Sequence, residues 1–209
     1  NNGVTGNSGN NVLDGGAGAD QLIGVVGDDT YVFGAGDTIV ENDQAYGGSD
    51  TVITDQTFVL GFGLDNLTLT GTAAINGIGN ELDNVLTGNG AANVFSGGTG
   101  NDTYVVDGAD TIVELPGEGW ADTVVASVSW TLAADLENLT LTGTGAIDGT
   151  GNAHNNMLAG NSGANVLTGG AGDDTYTVNG GDTVIELADQ GTDQVMSSAT
   201  FVLGANVEY

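Results

Sequence analysis

The chain contains no lysine, no arginine and no cysteine. Without cysteine there can be no disulfide framework and no thiolate metal site, and the redox compartment is left open. Without lysine and arginine the chain lacks the residues that pair with phosphates, which effectively excludes nucleic acid as a partner and disfavours anionic membrane surfaces. No apolar run approaches the roughly 20 residues needed to span a bilayer, so no membrane insertion is expected. The first residues, NNGVTGNSGNN, lack the basic and apolar regions of a signal peptide. Any export signal is therefore expected outside this chain, or is of another kind.

What is present is equally one-sided. The 209 residues include 28 acids, 38 glycines and a single histidine, for a formal charge of -28. So acidic a polymer could be disordered, but 39% of its residues are hydrophobic, and its Val, Ile, Leu, Thr and Tyr suit strands. The charge must then be neutralised from outside the chain.

Self-similarity organises the rest. The segment at 66–98 matches the segment at 138–170 without a gap, an offset of about 72 residues. DDTYVFGAGDTIVE, NDTYVVDGADTIVE and DDTYTVNGGDTVIE, beginning at Asp28, Asn101 and Asp173, add a third copy. Inside each long unit runs a period of nine: GNELDNVLT, GNGAANVFS and GGTGNDTYV follow one another over 79–105. The others are GNAHNNMLA, GNSGANVLT and GGAGDDTYT over 151–177, and GNSGNNVLD, GGAGADQLI and GVVGDDTYV over 6–32. Each nine has a Gly, Asn and Ala run, then Asp or Asn, then three residues whose middle one is large and apolar. Those residues are Leu13, Leu22, Tyr31, Leu86, Phe95, Tyr104, Leu158, Leu167 and Tyr176.

One nine has no core of its own, so stacking must supply it. The expected fold is all-β: a parallel β-solenoid of coils of about 18 residues, each of two nines, with a long unit of about 72 residues. A single solenoid over 1–209 is expected, in copies of about 6–87, 88–159 and 160–209, beginning and stopping mid-unit as a segment of a longer array. The valines in GVVGDDTYV are bulky for the turn that its copies make with glycine.

In such a stack, equivalent residues on successive coils lie about 4.8 Å apart. Two carboxylates there repel by roughly 3 kcal/mol at an effective dielectric near 20, which opposes folding unless a cation intervenes. Carboxylates, Asn side chains and turn carbonyls are hard oxygen donors and point to calcium; magnesium demands a stricter octahedron, and zinc would want more than the lone His154.

GGAGADQLI, GGTGNDTYV and GGAGDDTYT match the nonapeptide G-G-x-G-x-D-x-U-x. The chain resembles the RTX repeat proteins, which are mostly bacterial, exported by type I secretion, and folded as right-handed parallel β-rolls when calcium arrives. The resemblance implies that calcium lies between turns 18 residues apart, held by sixth-position carboxylates and turn carbonyls. It implies Asp20, Asp29, Asp102 and Asp174 as ligands, paired with Asn2, Asn11, Asn84 and Asn156 in that order, with carbonyls from turns such as those of Gly15, Gly97 and Gly169. Asp37, Asp110 and Asp182 follow the nines and are expected to close the stack above Asp20, Asn93 and Asn165. Most pairs depart from the family in holding one Asn, which offers a carbonyl but no charge.

A lone sixth-position Asp could equally be a turn residue bonding its own backbone; recurrence in register favours a ligand. Asp28 and Asp173, at the fifth position, are read as solvated or supporting. Asp50, Asp122 and Asp193 stay open between turn caps and further sites, and Asp65, Glu137 and Glu208 read as an exposed edge. His154 lacks the surroundings of a catalytic triad, and a slim solenoid offers no cleft for an acid pair to cleave glycosides. Trp120, Trp130 and Tyr46 fall outside the nines and read as core or lateral contacts. No enzymatic activity is expected.

The reading is a calcium-binding structural segment of a secreted bacterial protein, extracellular or at the cell surface: an adhesin spacer, a surface layer or a filament, with folding coupled to calcium. The rival is the repeat domain of a type I secreted enzyme or toxin whose catalytic domain lies outside this chain. Self-association into a fibre or layer is a third reading, since open strand edges template pairing.

Overall fold

The computed structural model describes residues 1–41 and 48–208. Residues 42–47 and 209 are not described, so the reading of Tyr46 falls outside the described residues. Among those described there is no helix: every element is a strand of two to four residues, and every pairing between strands is parallel. The expected fold class is the one found, with successive coils stacked at a spacing of about 18 residues, as in the bond between Asn11 and Asp29.

The chain divides into two compact units, Asn1–Asp102 with Ala109–Val113, and Thr103–Gly108 with Glu114–Tyr209. In the first unit Val12–Asp14, Thr30–Phe33, Thr51–Thr54, Asn66–Leu69 and Val85–Thr87 lie in one sheet. Gly3–Thr5, Gln21–Ile23 and Thr38–Val40 form another, and Phe58–Val59, Gly77–Ile78, Val94–Ser96 and Thr111–Ile112 a third. In the second unit Thr103–Val106, Thr123–Ala126, Asn138–Leu141, Met157–Ala159, Thr175–Val178 and Gln194–Ser197 share a sheet. Trp130–Thr131, Gly149–Thr150, Val166–Thr168 and Thr183–Ile185 form the other.

Successive nines alternate between sheets, so residues two nines apart become neighbours. Leu13, Tyr31, Val52, Leu67 and Leu86 pair in register down the first unit; Tyr104, Val124, Leu139, Leu158 and Tyr176 do so in the second. A strand shows alternate side chains to opposite faces, so the middle residue of each three-residue strand faces inward. None of the eighth-position residues is more than 3% exposed. Of the aromatics outside the nines, Trp130 is half-buried, in register with Gly149, whereas Trp120 is exposed.

Where the second position of the nine turns with positive φ it calls for glycine, as at Gly16, Gly98 and Gly170 with φ of 75°, 97° and 107°; the nines with Asn there do not turn this way. Val25 occupies that position in GVVGDDTYV and is forced to φ 92°, a conformation that a β-branched residue adopts only under strain of order 1–3 kcal/mol. Val25→Gly relieves the strain but adds freedom to the unfolded chain. It is expected to raise stability by about 1 kcal/mol in denaturant titrations at saturating calcium; a loss of stability would refute the assignment of strain.

Candidate metal centre

Sixth-position residues sit where each turn enters its strand, and all but the half-buried Asn11 are buried. Asp20, Asp29, Asp102 and Asp174 are at most 2% exposed, and Asn84, Asn93, Asn156 and Asn165 at most 3%. Asparagine closes its own turn: the side-chain oxygens of Asn11, Asn84 and Asn156 accept the main-chain N–H of Asn7, Asn80 and Asn152 at 2.7–2.8 Å. The amide hydrogens then serve the preceding coil. Asn84 Nδ2 donates to the carbonyls of Leu64 and Asp65 at 3.3 and 3.1 Å, and Asn156 Nδ2 to those of Leu136 and Glu137 at 3.1 and 3.2 Å.

The structure stacks each expected pair. The N–H of Asn11 donates to Asp29 Oδ1 at 2.8 Å, and those of Asn84 and Asn156 to Asp102 Oδ1 and Asp174 Oδ1 at 2.7 Å; Asn2 does the same to Asp20. Asp37, Asp110 and Asp182 lie against Asp20, Asn93 and Asn165, each accepting that residue's N–H at 2.9 Å. The second oxygens of Asp37 and Asp182 accept the N–H of Gly34 and Asn179, so main-chain donors already engage both oxygens of each. A β-carbon on Gly15 would stand 2.7 Å from Asp20 Oδ2, one on Gly169 would collide with Asp174 Oδ2, and the Gly97 and Gly169 carbonyls press on Gly79 and Gly151 of the preceding coil.

The ladder continues beyond the nines. Asp29 N–H donates to Asp50 Oδ1 at 2.8 Å and Asp50 N–H to Asp65 Oδ2 at 2.7 Å. Asp174 N–H donates to Asp193 Oδ1 at 2.9 Å and Asp193 N–H to Glu208 Oε2 at 2.7 Å. Glu137 takes the N–H of Asp122 at 2.9 Å. Asp65, Glu137 and Glu208 thus differ from the expected plain edge: each caps the main chain of the coil before it, because a strand's first N–H needs an acceptor when no strand residue supplies one.

Two groups of carboxylates converge where this ladder leaves the nines. Asp29, Glu41 and Asp50 bring ligand oxygens within 4.8 Å of one another, and so do Asp174, Glu186 and Asp193. In the second trio, Asp174 and Asp193 are 1% exposed and Glu186 5%. Tyr176 O–H and the N–H of Gly169 both donate to Glu186 Oε1. Among the described residues Glu186 Oε2 and Asp174 Oδ2 have no hydrogen-bond partner. In the first trio the same holds for Asp29 Oδ2, Asp50 Oδ2 and the hydroxyl of Tyr31, a residue with no exposed surface.

Burial drives the electrostatics. It pushes Asp174 up to about 7, with Glu186 and Asp193 adding repulsion. It pushes Asp50 up to about 6, with Asp29 and Asp65 contributing. Desolvation also raises Glu186, which the Tyr176 hydrogen bond partly offsets, and it raises the Tyr176 phenol, reinforced by that bond to Glu186. These are carboxylates that the fold holds ionised only at a cost, which a divalent cation removes.

The donor set fits calcium. It is all oxygen, and ligands on opposite sides of a calcium ion at 2.3–2.6 Å lie about 5 Å apart, comparable to the spread of each trio; magnesium at 2.0–2.1 Å needs a tighter shell. Glu41 and Glu186 were not among the expected ligands. Their signal was present in T-I-V-E and T-V-I-E, which put a glutamate at the end of an apolar strand in each copy.

The model of the RTX calcium-binding nonapeptide repeat, in four copies, matches residues 5–40, 78–113 and 150–185, just over half of the chain. The chain belongs to the RTX calcium-binding repeat family. No curated protein and no solved structure matches it. The three matched stretches of this RTX chain contain Asp29, Asp102 and Asp174, and stop short of Glu41, Asp50, Glu186 and Asp193. His154 is exposed, with Nε2 4.0 Å from Asp135 Oδ1. Among the described residues no helix is long and apolar enough to cross a membrane.

Proposed function

We propose that this segment is a non-enzymatic structural element of a secreted bacterial protein, of the kind that spaces an adhesin or builds a surface layer or filament, and that it folds when calcium binds. One observation carries the reading: carboxylate oxygens are buried in register with no lysine or arginine anywhere in the sequence to answer them. The residues that would hold the ions come from different coils and are brought together only by folding, so binding free energy becomes folding free energy. Calcium supplies the countercharge when bound. The chain itself supplies the fixed oxygens, the glycine clearance beside them and the exclusion of water.

Low calcium inside a cell would keep such a chain unfolded, and millimolar calcium outside would set it. Circular dichroism during a calcium titration tests this. At neutral pH the strand signal is expected to be lost in chelator and gained cooperatively as calcium rises; a signal already complete in chelator would refute the coupling.

A further inference from the structure

The nonapeptide interfaces in which Asn faces the preceding coil are satisfied by hydrogen bonds: the Asn amide takes that coil's carbonyls, and the carboxylate 18 residues on takes the Asn N–H. Among the described residues Asp20 Oδ2 is also unmatched, but unmatched oxygens gather in groups of three residues only one step further along the ladder. Asp174 Oδ1 is engaged by Asn156 while Oδ2 is directed to the other side, toward Glu186 and Asp193. Glu186 is held in the same way, with Oε1 fixed by two donors and Oε2 open. The first unit repeats the arrangement, and its tyrosine gives a separate indication. A β-carbon on Gly24 would collide with Asp29 Oδ2, Tyr31 Oη and Glu41 Oε1 together, so these three oxygens converge over a glycine chosen to leave room for them. The Tyr31 hydroxyl, wholly buried in an otherwise apolar ladder, has no hydrogen-bond partner among the described residues. A buried polar group is normally paired, and a cation coordinated by the neighbouring acids supplies what is missing.

We propose that Asp174, Glu186 and Asp193, backed by Tyr176, form a discrete calcium site one step beyond the sixth-position Asn–Asp pairs, and that Asp29, Glu41 and Asp50, backed by Tyr31, form its counterpart. Two of the three ligands in each come from outside the nonapeptides: the glutamate that ends the next strand and the aspartate that opens the following coil. The site therefore ties the regular nines to the irregular coils, whose spacing along the ladder is 19 residues at Asp193 and 21 at Asp50. Tyr176 is a positioning residue: its hydroxyl orients Glu186.

This inference rests on the calcium reading above, and the experiment separates the two. Calcium bound per chain is counted by equilibrium dialysis for the whole chain and for Glu186→Gln, with circular dichroism as the measure of folding. The variant is expected to bind one calcium fewer, to fold in excess calcium, and in chelator at neutral pH to show more strand signal than the parent, because it loses a buried charge. Tyr176→Phe is expected to keep the count, to weaken the affinity of that site about tenfold, and to reduce the terbium emission excited through tyrosine. An unchanged count and affinity in Glu186→Gln, with the parent binding normally, overturns this site and leaves the calcium reading standing. A Glu186→Gln chain that fails to fold in excess calcium, or undiminished terbium emission from Tyr176→Phe, also overturns the site. No calcium bound by the parent sinks the broader reading instead.

Discussion

Acid will stand in for calcium. In chelator, strand signal absent at about pH 8 is expected to return as the solution is brought to about pH 5, and in excess calcium the dependence is expected to reverse. The sign follows from the direction of the shifts. Asp174 titrates near 7 in the fold against 3.8 ordinarily, and Asp50 near 6 against the same value. Between those limits the folded chain holds protons that the unfolded chain releases, so raising the pH favours unfolding, and the loss is complete above the folded values. For Asp174, 1% exposed, the difference is on the order of 4 kcal/mol, and for Asp50 about 3 kcal/mol. A domain is commonly stable by only about 5–15 kcal/mol, so two such groups decide whether the apo chain folds. Calcium reverses the slope because it binds the ionised carboxylates and competes with their protons. Melts recorded across this range in the two buffers check the prediction; the same slope in both would refute it.

Asn156→Asp is expected to convert a coil that needs no ion into one that does. Asn156 is 3% exposed, and its amide nitrogen donates to the Leu136 and Glu137 carbonyls. Aspartate has nearly the same shape but turns a second oxygen toward those two acceptors, so that one oxygen of a buried carboxylate faces two carbonyls with no donor. The cost in low calcium is expected to be about 3 kcal/mol, read as a shift of the folding transition to higher calcium. The penalty should shrink as calcium rises, since a cation between the new carboxylate and the two carbonyls restores the pairing that the amide provided. Asn156→Ala is the control: it strands the same carbonyls at about 2 kcal/mol, and no concentration of calcium recovers it. Equal penalties for the two variants at all calcium concentrations would show that the space between the coils takes no ion.

The regular part of this architecture was legible because a nine-residue period leaves little freedom. With one inward side chain per nine, Leu13 must stack on Tyr31 and Leu158 on Tyr176, and the sixth-position pairs follow at the same interval. Asn and Asp are another matter. They share a shape and a turn preference, and only the direction of the Asn156 amide, toward carbonyls rather than toward an ion, shows that the coil is already complete. The carboxylate trios were hidden for a different reason. Glu186 is 12 residues from Asp174 in every copy of the motif, but Asp193 and Asp50 follow segments of unequal length, so no constant period places them on the stack. Tyr31 and Tyr176 read as core residues because their rings are core; the polar end of the same side chain is what marks the site.

The ladder of main-chain donors and acidic acceptors also has a direction. The N–H of Asn156 is answered by Asp174, that of Asp174 by Asp193, and that of Asp193 by Glu208. In each case the acceptor lies later in the chain, so at this position a coil's N–H is answered by the segment that follows it. Cutting such a stack leaves two unlike ends. Along this ladder the N-terminal end presents carboxylates that water solvates readily, whereas the C-terminal end presents N–H groups that still seek an acid. Growth and fraying of the stack are therefore polar processes.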